Sequence, residues 1–137
     1  MNFVDAYGGT KHERYLVEDA AHWCIGKLMP RIRTLEIDIE LKEIDDAEGL
    51  CHEVDRRQFV IEMQKGMEYE DFLTTLFHEM VHVKQHVRKE FEPVEYDTFE
   101  GYMAQPSEIE AYKMQEELLD QWKIENPKDT TIGCYGK

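Results

Sequence analysis

Apolar residues recur at helical spacing near the start of the chain. From about His12 to Met29, Leu16, Ala20, Trp23 and Lys27/Leu28 fall on one face, which predicts a helix. Gly26 weakens its end and Pro30 stops it. The period then changes to two. Leu35, Ile37, Ile39 and Leu41 alternate with Glu36, Asp38, Glu40 and Lys42, the signature of a half-buried strand. Asp45 to Gly49 reads as a turn, Leu50 to Val54 as a short strand, and Phe59, Ile61 and Met63 as a third strand ended by Gly66. Helical spacing returns from about Glu70 to Lys89, where Phe72, Leu73, Leu76, Met80, Val83 and Val87 form a broad stripe. Acidic residues precede this helix and basic ones close it, as the helix dipole favours. Phe91 to Gln105 lacks a period and reads as a loop. Pro106-Ser107 opens a last helix to about Lys123, which Asn126-Pro127 ends.

The order α-β-β-β-α-loop-α predicts an α+β domain with a small antiparallel sheet of about three strands. No repeat, low-complexity tract or linker divides the chain. Its 137 residues suit a single domain, 1–137, with a loose tail from about 126 to 137.

Composition narrows the partners. Thirty acidic residues against sixteen basic ones leave a formal charge of −14. A surface so negative, without a Lys/Arg cluster, repels nucleic acid and anionic membranes. The longest stretches free of Asp, Glu, Lys and Arg are seven residues, such as Ala20 to Gly26, whereas a membrane-spanning helix needs about 20 apolar residues. Met1 to Thr10 has no basic start and no apolar run, so no signal peptide is expected. Cys24, Cys51 and Cys134 are odd in number and widely spaced, which fits neither a disulfide framework nor a cysteine zinc knot. A reduced, cytoplasmic protein is the simplest expectation.

The chemistry is concentrated in the fourth element. His78-Glu79-Met80-Val81-His82 is His-Glu-x-x-His inside a periodic helix. Residues i and i+4 lie one turn apart on the same face, so the two imidazoles can share one ion. Glu79, rotated about 100° from His78, sits beside that ion, where it can take a proton from water the ion activates.

A catalytic zinc site takes a third protein ligand and leaves the fourth position to water. His86 lies about 12 Å along the axis from His78, too far to share the ion. A third histidine from the same segment would require His-Glu-x-x-His-x-x-Gly-x-x-His, but Gln85 stands at the Gly position and Arg88 at the last His. His86 is expected near the surface or behind the ligands. Glu108 and Glu110 remain. With Glu108 at 0°, Ala111, Tyr112, Gln115, Leu118, Leu119 and Trp122 fall within about 80° of it on the core face, while Glu110 falls at about 200°. Ser107 and Glu110 also have capping-box spacing. Glu108 is therefore the preferred third ligand, and Glu110 a capping residue that points outward.

The run Leu76-Phe77-His78-Glu79-Met80-Val81-His82-Val83-Lys84-Gln85, followed by Pro106-Ser107-Glu108-Ile109-Glu110-Ala111-Tyr112, resembles the small SprT-like or minimal gluzincin metallopeptidases, especially phage-encoded ones. The resemblance spans roughly Leu35 to Leu119. It implies a zincin-like fold, zinc held by His78, His82 and a glutamate of the second motif, and Glu79 as catalytic base. If the chain is phage-encoded, it would act in host cytoplasm. The chain departs from the pattern in two places: Ser107 stands where an aromatic residue is expected, and His86 where many relatives carry Tyr. SprT-like repair proteases use a histidine third ligand and DNA-binding extensions. This chain has no basic extension, so that role is not expected.

The expected function is zinc-dependent hydrolysis of peptide bonds in a peptide or protein substrate. Glu79 would move the proton from water to the leaving amine. Tyr102 or Tyr96 would supply a further donor to the oxyanion. Two alternatives compete. One is a non-catalytic metal-binding domain, with Cys51, His52 or His86 closing the coordination. The adjacent Cys51 and His52 point to opposite faces of a strand, so at most one could reach. The other is an acidic protein-interaction domain in which the histidine pair is incidental. Trp23, Trp122 and Phe72 are expected in the core, and Cys24 as a buried thiol.

Overall fold

The computed structural model describes residues 1–89 and 105–127. Seven elements follow one another: β1 (Phe3–Gly8), α1 (Lys11–Leu28), β2 (Glu36–Lys42), β3 (Gly49–Asp55), β4 (Gln58–Gln64), α2 (Tyr69–Val87) and α3 (Pro106–Glu125). Among the described residues the fold is α+β, three helices with a four-stranded mixed sheet of order β1-β2-β4-β3. The sheet is the main correction to the sequence reading, which expected about three antiparallel strands. β1 pairs in parallel with β2, and β2 in parallel with β4; only β3 and β4 are antiparallel.

β1 was hidden because its pattern is inverted. Its inward positions are the small Val4 and Ala6, while Phe3 and Tyr7 face outward and are 54% and 53% exposed. α1 carries the chain from β1 across to parallel β2, and alternation within one strand does not reveal which way its neighbour runs. A capping box starts α1. Glu13 N–H donates to Thr10 Oγ1 at 3.1 Å, and Thr10 N–H donates to Glu13 Oε1 at 2.8 Å. The second oxygen of Glu13 accepts from Gly66 N–H at 2.8 Å, which ties this helix start to the β4–α2 turn. At Gly8 (φ +80°) a Cβ would lie 2.2 Å from the Leu41 carbonyl oxygen, so only glycine fits there.

One sheet face is the core. Ile37, Ile39 and Leu41 of β2 and Phe59, Ile61 and Met63 of β4 pack beneath α1 and α2, while Glu36 and Asp38 face solvent. Phe72 and Trp122 are buried, Trp23 is half-buried, and Cys24 is an inaccessible thiol whose pKa burial pushes far up. α3 packs along α2 in the opposite direction. Trp122 Nε1 donates to Tyr69 Oη at 2.8 Å, and Lys123 pairs with Glu70 at 2.7 Å. At the other end, Lys84 reaches Glu110 at 3.2 Å. This pairing brings the His-Glu-x-x-His face against the start of α3. No helix among the described residues is long and apolar enough to cross a membrane. The expected loop at 91–104, Tyr96 and Tyr102 within it, and the tail from residue 128, with Cys134, lie outside the described residues.

Candidate metal centre

Two helices supply the centre. His78 and His82 project from the middle of α2, one turn apart, and Glu108 from the first turn of α3. His78 Nε2 lies 3.1 Å from Glu108 Oε2, His82 Nε2 lies 3.0 Å from Glu108 Oε1, and the two Nε2 atoms are 3.3 Å apart. This is the one group of three or more His, Cys, Asp or Glu side chains among the described residues that could hold a metal ion. Glu108 is 3% exposed. A carboxylate buried to that degree needs a cationic partner. His78 and His82 both lie within hydrogen-bond range of this carboxylate. Burial disfavours a charge on His82, but its hydrogen bonds to Glu108 and Gln85 outweigh that and hold its pKa above the ordinary histidine value.

Two glutamines, neither singled out from the sequence, orient the imidazoles. His82 Nδ1 lies 2.8 Å from Gln85 Oε1, and His78 Nδ1 lies 2.8 Å from Gln115 Oε1. The amide of Gln85 is not free to flip. Its Nε2 donates to the Ser107 carbonyl at 2.9 Å and to Glu110 Oε1 at 2.8 Å, and both of these are acceptors. Gln85 Oε1 must then face His82, so His82 Nδ1 carries a proton and Nε2 is the nitrogen turned toward Glu108 and His78. Such a bond behind a histidine fixes its tautomer and ring plane. Gln85 is not on the apolar stripe of α2 but on the side that carries His78 and His82, where it is 2% exposed.

These contacts correct the expectation for Glu110. α3 begins with Gln105 as N-cap and Pro106 as its first residue, and no side chain caps it. Ser107 is already inside the helix and cannot be the cap. The Glu110 carboxylate turns toward α2, onto Lys84 and Gln85, rather than outward. Those contacts hold its pKa below the ordinary glutamate value, although burial alone would raise it.

Glu79 is 6% exposed and lies beside the group without joining it. It makes no hydrogen bond or ion pair among the described residues. Burial pushes its carboxyl pKa up, against the lowering pull of His78 and His82. β3 starts against it: a Cβ at Gly49 would lie 3.0 Å from Glu79 Oε2 and 2.8 Å from Thr75 Cγ2.

The other candidates fall outside the group. His86 is half-buried, packs on the Phe59 ring and lies 3.9 Å from Glu53. Cys51 and His52 do face opposite ways. Cys51 lines the cleft, whereas His52 bonds Glu62 at 2.7 Å on the far side of the strand. Tyr112, one turn beyond Glu108, lines the cleft with its ring centroid 4.6 Å from that of His78. The centre opens into a cleft of about 960 Å³ between the β2–β3 connection, the start of β3, α2 and α3.

Comparison with family models, with curated proteins and with solved structures finds no match to this chain.

Proposed function

We propose that this chain is a zinc-dependent metallopeptidase of minimal, zincin-like architecture. His78, His82 and Glu108 are its zinc ligands and Glu79 is its general base. The observation that carries the reading is the convergence of the three donors. Four ligands about 2.0–2.1 Å from zinc sit about 3.3–3.4 Å from one another at the corners of a tetrahedron. The donor separations here, 3.0, 3.1 and 3.3 Å, are close to that spacing before any metal is considered. No fourth His, Cys, Asp or Glu among the described residues joins them, which favours an open catalytic site over a closed structural one.

When bound, zinc polarises a carbonyl and makes water acidic enough to attack it near neutral pH. The chain's residues do the rest. Glu79, buried and without a hydrogen bond or ion pair among the described residues, is made more basic by its burial; it accepts a proton from the attacking water and returns it to the leaving amine. Tyr112 is the tyrosine beside His78 that can donate to the developing oxyanion. A peptide fits the cleft because β3 is the last strand of the sheet. No strand pairs with its outer edge among the described residues, and its first residues Gly49, Leu50 and Cys51 line the cleft. Such an edge offers main-chain hydrogen bonds to an extended segment.

The test combines elemental mass spectrometry of purified protein with a peptide-cleavage assay. About one zinc per chain is expected, with hydrolysis that Glu79→Gln abolishes while zinc stays bound. Absence of zinc, with no thermal shift on adding it, would remove the enzyme reading and favour an acidic binding protein.

A further inference from the structure

Most of the cleft lies away from the His78–His82–Glu108 group, and that part is acidic. Asp46 and Glu48 come from the β2–β3 connection, Glu70 and Asp71 from the first turn of α2, and Glu116 from α3. With Glu79 and Glu108 they make seven carboxylates among the described residues, and no Lys or Arg of those residues lines the cleft. The helix dipole accounts for Glu70 and Asp71. It does not account for Asp46, Glu48 and Glu116, which reach the same cleft from other parts of the chain. A bound dication, together with Lys123 paired to Glu70 at 2.7 Å, cancels three of the seven charges and leaves four. A cleft lined by one sign of charge concentrates ligands of the other sign.

The outer carboxylates do not gather around one point. His78, His82 and Glu108 are the described side chains whose ligand atoms come within 4.8 Å of one another, so the outer acids suit separate cationic side chains rather than a second ion. Glu79 is an independent sign that the cleft is built for an occupant, since it is a carboxylate 6% exposed, lining the cleft, with no hydrogen bond or ion pair among the described residues.

The acids also sit to one side. Glu70 and Asp71 precede His78 by eight and seven residues, and Glu116 follows Glu108 by eight on the oppositely directed α3. At about 1.5 Å per residue Glu70 and Asp71 lie about 10–12 Å along α2 from His78, while Glu116 lies closer, next to Gln115, which bonds His78. An extended peptide covers that distance in about three residues. At the other end His86 and Gln105 line the cleft, with no carboxylate beside them among the described lining residues.

We propose that the substrates of this cleft are basic peptides: extended segments carrying Lys or Arg about three residues from the bond that is cut, held by Asp46, Glu48, Asp71 and Glu116. This rests on the peptidase reading above. Three matched fluorogenic peptides, with Lys, Ala or Glu three residues from the bond on either side, separate the two. The same peptides, labelled, are tested for binding to zinc-loaded Glu79→Gln by fluorescence anisotropy. The Lys peptide is expected to be cut and bound roughly tenfold or more better than the Ala peptide at low salt, and the Glu peptide worse than either. The preference should collapse in 0.5 M salt, about where screening shortens to a few ångströms. It should also collapse in the Asp46→Asn/Glu48→Gln/Asp71→Asn/Glu116→Gln variant, which retains its zinc. The salt series on the wild-type chain decides the matter if that variant does not fold. Equal handling of the three peptides, or no binding of any, overturns the proposal. Selective, salt-sensitive binding of the Lys peptide without cleavage supports it and overturns the peptidase reading instead.

Discussion

Gln85 Oε1 lies 2.8 Å from His82 Nδ1, and the other end of the same amide is tied to Ser107 and Glu110 across the helix interface. One glutamine thereby connects the register of two helices to the protonation pattern of one candidate ligand. Replacing it with leucine keeps a side chain of similar size and removes the acceptor. Gln85→Leu is expected to weaken zinc binding about 10–100-fold, the usual effect of losing the partner behind a ligating histidine. Competition with a fluorescent chelator measures that loss. Nitrogen-15 NMR of the imidazoles should show His82 shifting to a mixture of tautomers.

Glu108 and Glu110 are two residues apart and do different work. Glu108→Gln removes a charged donor lying 3.0 and 3.1 Å from the two imidazoles, so bound zinc should fall to a small fraction of one equivalent. Glu110→Gln leaves all three donors in place and disturbs only the tether on Gln85 and Lys84. It should keep close to one equivalent in excess zinc, with a weaker affinity. Saturating zinc at 100 times its Kd stabilises a folded protein by about 2.7 kcal/mol, so the two variants also separate by thermal shift. If Glu110→Gln lost the metal and Glu108→Gln kept it, the ligand assignment would be reversed.

The centre was more legible in the sequence than the sheet. His78, Glu79 and His82 needed only a helix, because a four-residue spacing puts two side chains on one face whatever surrounds it. Glu108 followed from its azimuth among Ala111, Leu118, Leu119 and Trp122, all of which are buried. Glu110 was misjudged because a capping box depends on where a helix begins, and α3 begins two residues before the position that box requires. β1 was invisible because Phe3 and Tyr7 point away from the core. Gln85 and Gln115 escaped notice because their role depends on which atoms another helix brings near them, and no spacing within one helix carries that information.

Trp122 holds α3 in place. It is 2% exposed, packs edge-on to Trp23 at 5.4 Å between centroids, and donates to Tyr69 Oη at 2.8 Å. Trp122→Ala should cost about 3–5 kcal/mol in chemical denaturation, in the range for emptying a large aromatic site. Zinc affinity should fall with it, since Glu108 sits on the same helix. Trp122→Phe should lose less, because most of the volume remains.

At the far end of α3, the Glu125 carboxylate lies 2.6 Å from Lys27 Nζ and accepts from Trp23 Nε1 at 3.1 Å. Lys27 leads the hydrogen-bonding groups that pull its pKa from 4.5 down to about 2. A depressed carboxyl pKa stabilises the fold above the unfolded value and loses that contribution as pH falls from about 4.5 through about 2. The stability difference between wild type and Glu125→Gln should therefore be largest near neutral pH and shrink toward zero near pH 2. Carbon-13 NMR of the Glu125 carboxyl should show a midpoint near 2; one near 4.5 would mean that the contacts do not persist in solution.

Gly49 offers the sharpest separation of metal binding from catalysis. A Cβ at this position would meet Thr75 Cγ2 at 2.8 Å and Glu79 Oε2 at 3.0 Å; both belong to side chains, and the Glu79 chain is long enough to swing aside. Gly49→Ala should therefore fold, with a small change in Tm, because no backbone atom blocks the new methyl group. It should also bind zinc like the wild type, since His78, His82 and Glu108 lie outside the contact. Thr75 and Glu79 must both give way, and of the two it is Glu79 that carries the proposed chemistry. A general base works only within hydrogen-bond reach of the proton it takes, and a displacement of about 1 Å can cost on the order of a hundredfold in rate. The expected result is unchanged zinc content with kcat reduced about 10–100-fold and KM little altered. If kcat in Gly49→Ala matched the wild type while Glu79→Gln was inactive, Glu79 would act from a position other than the one that places it against β3.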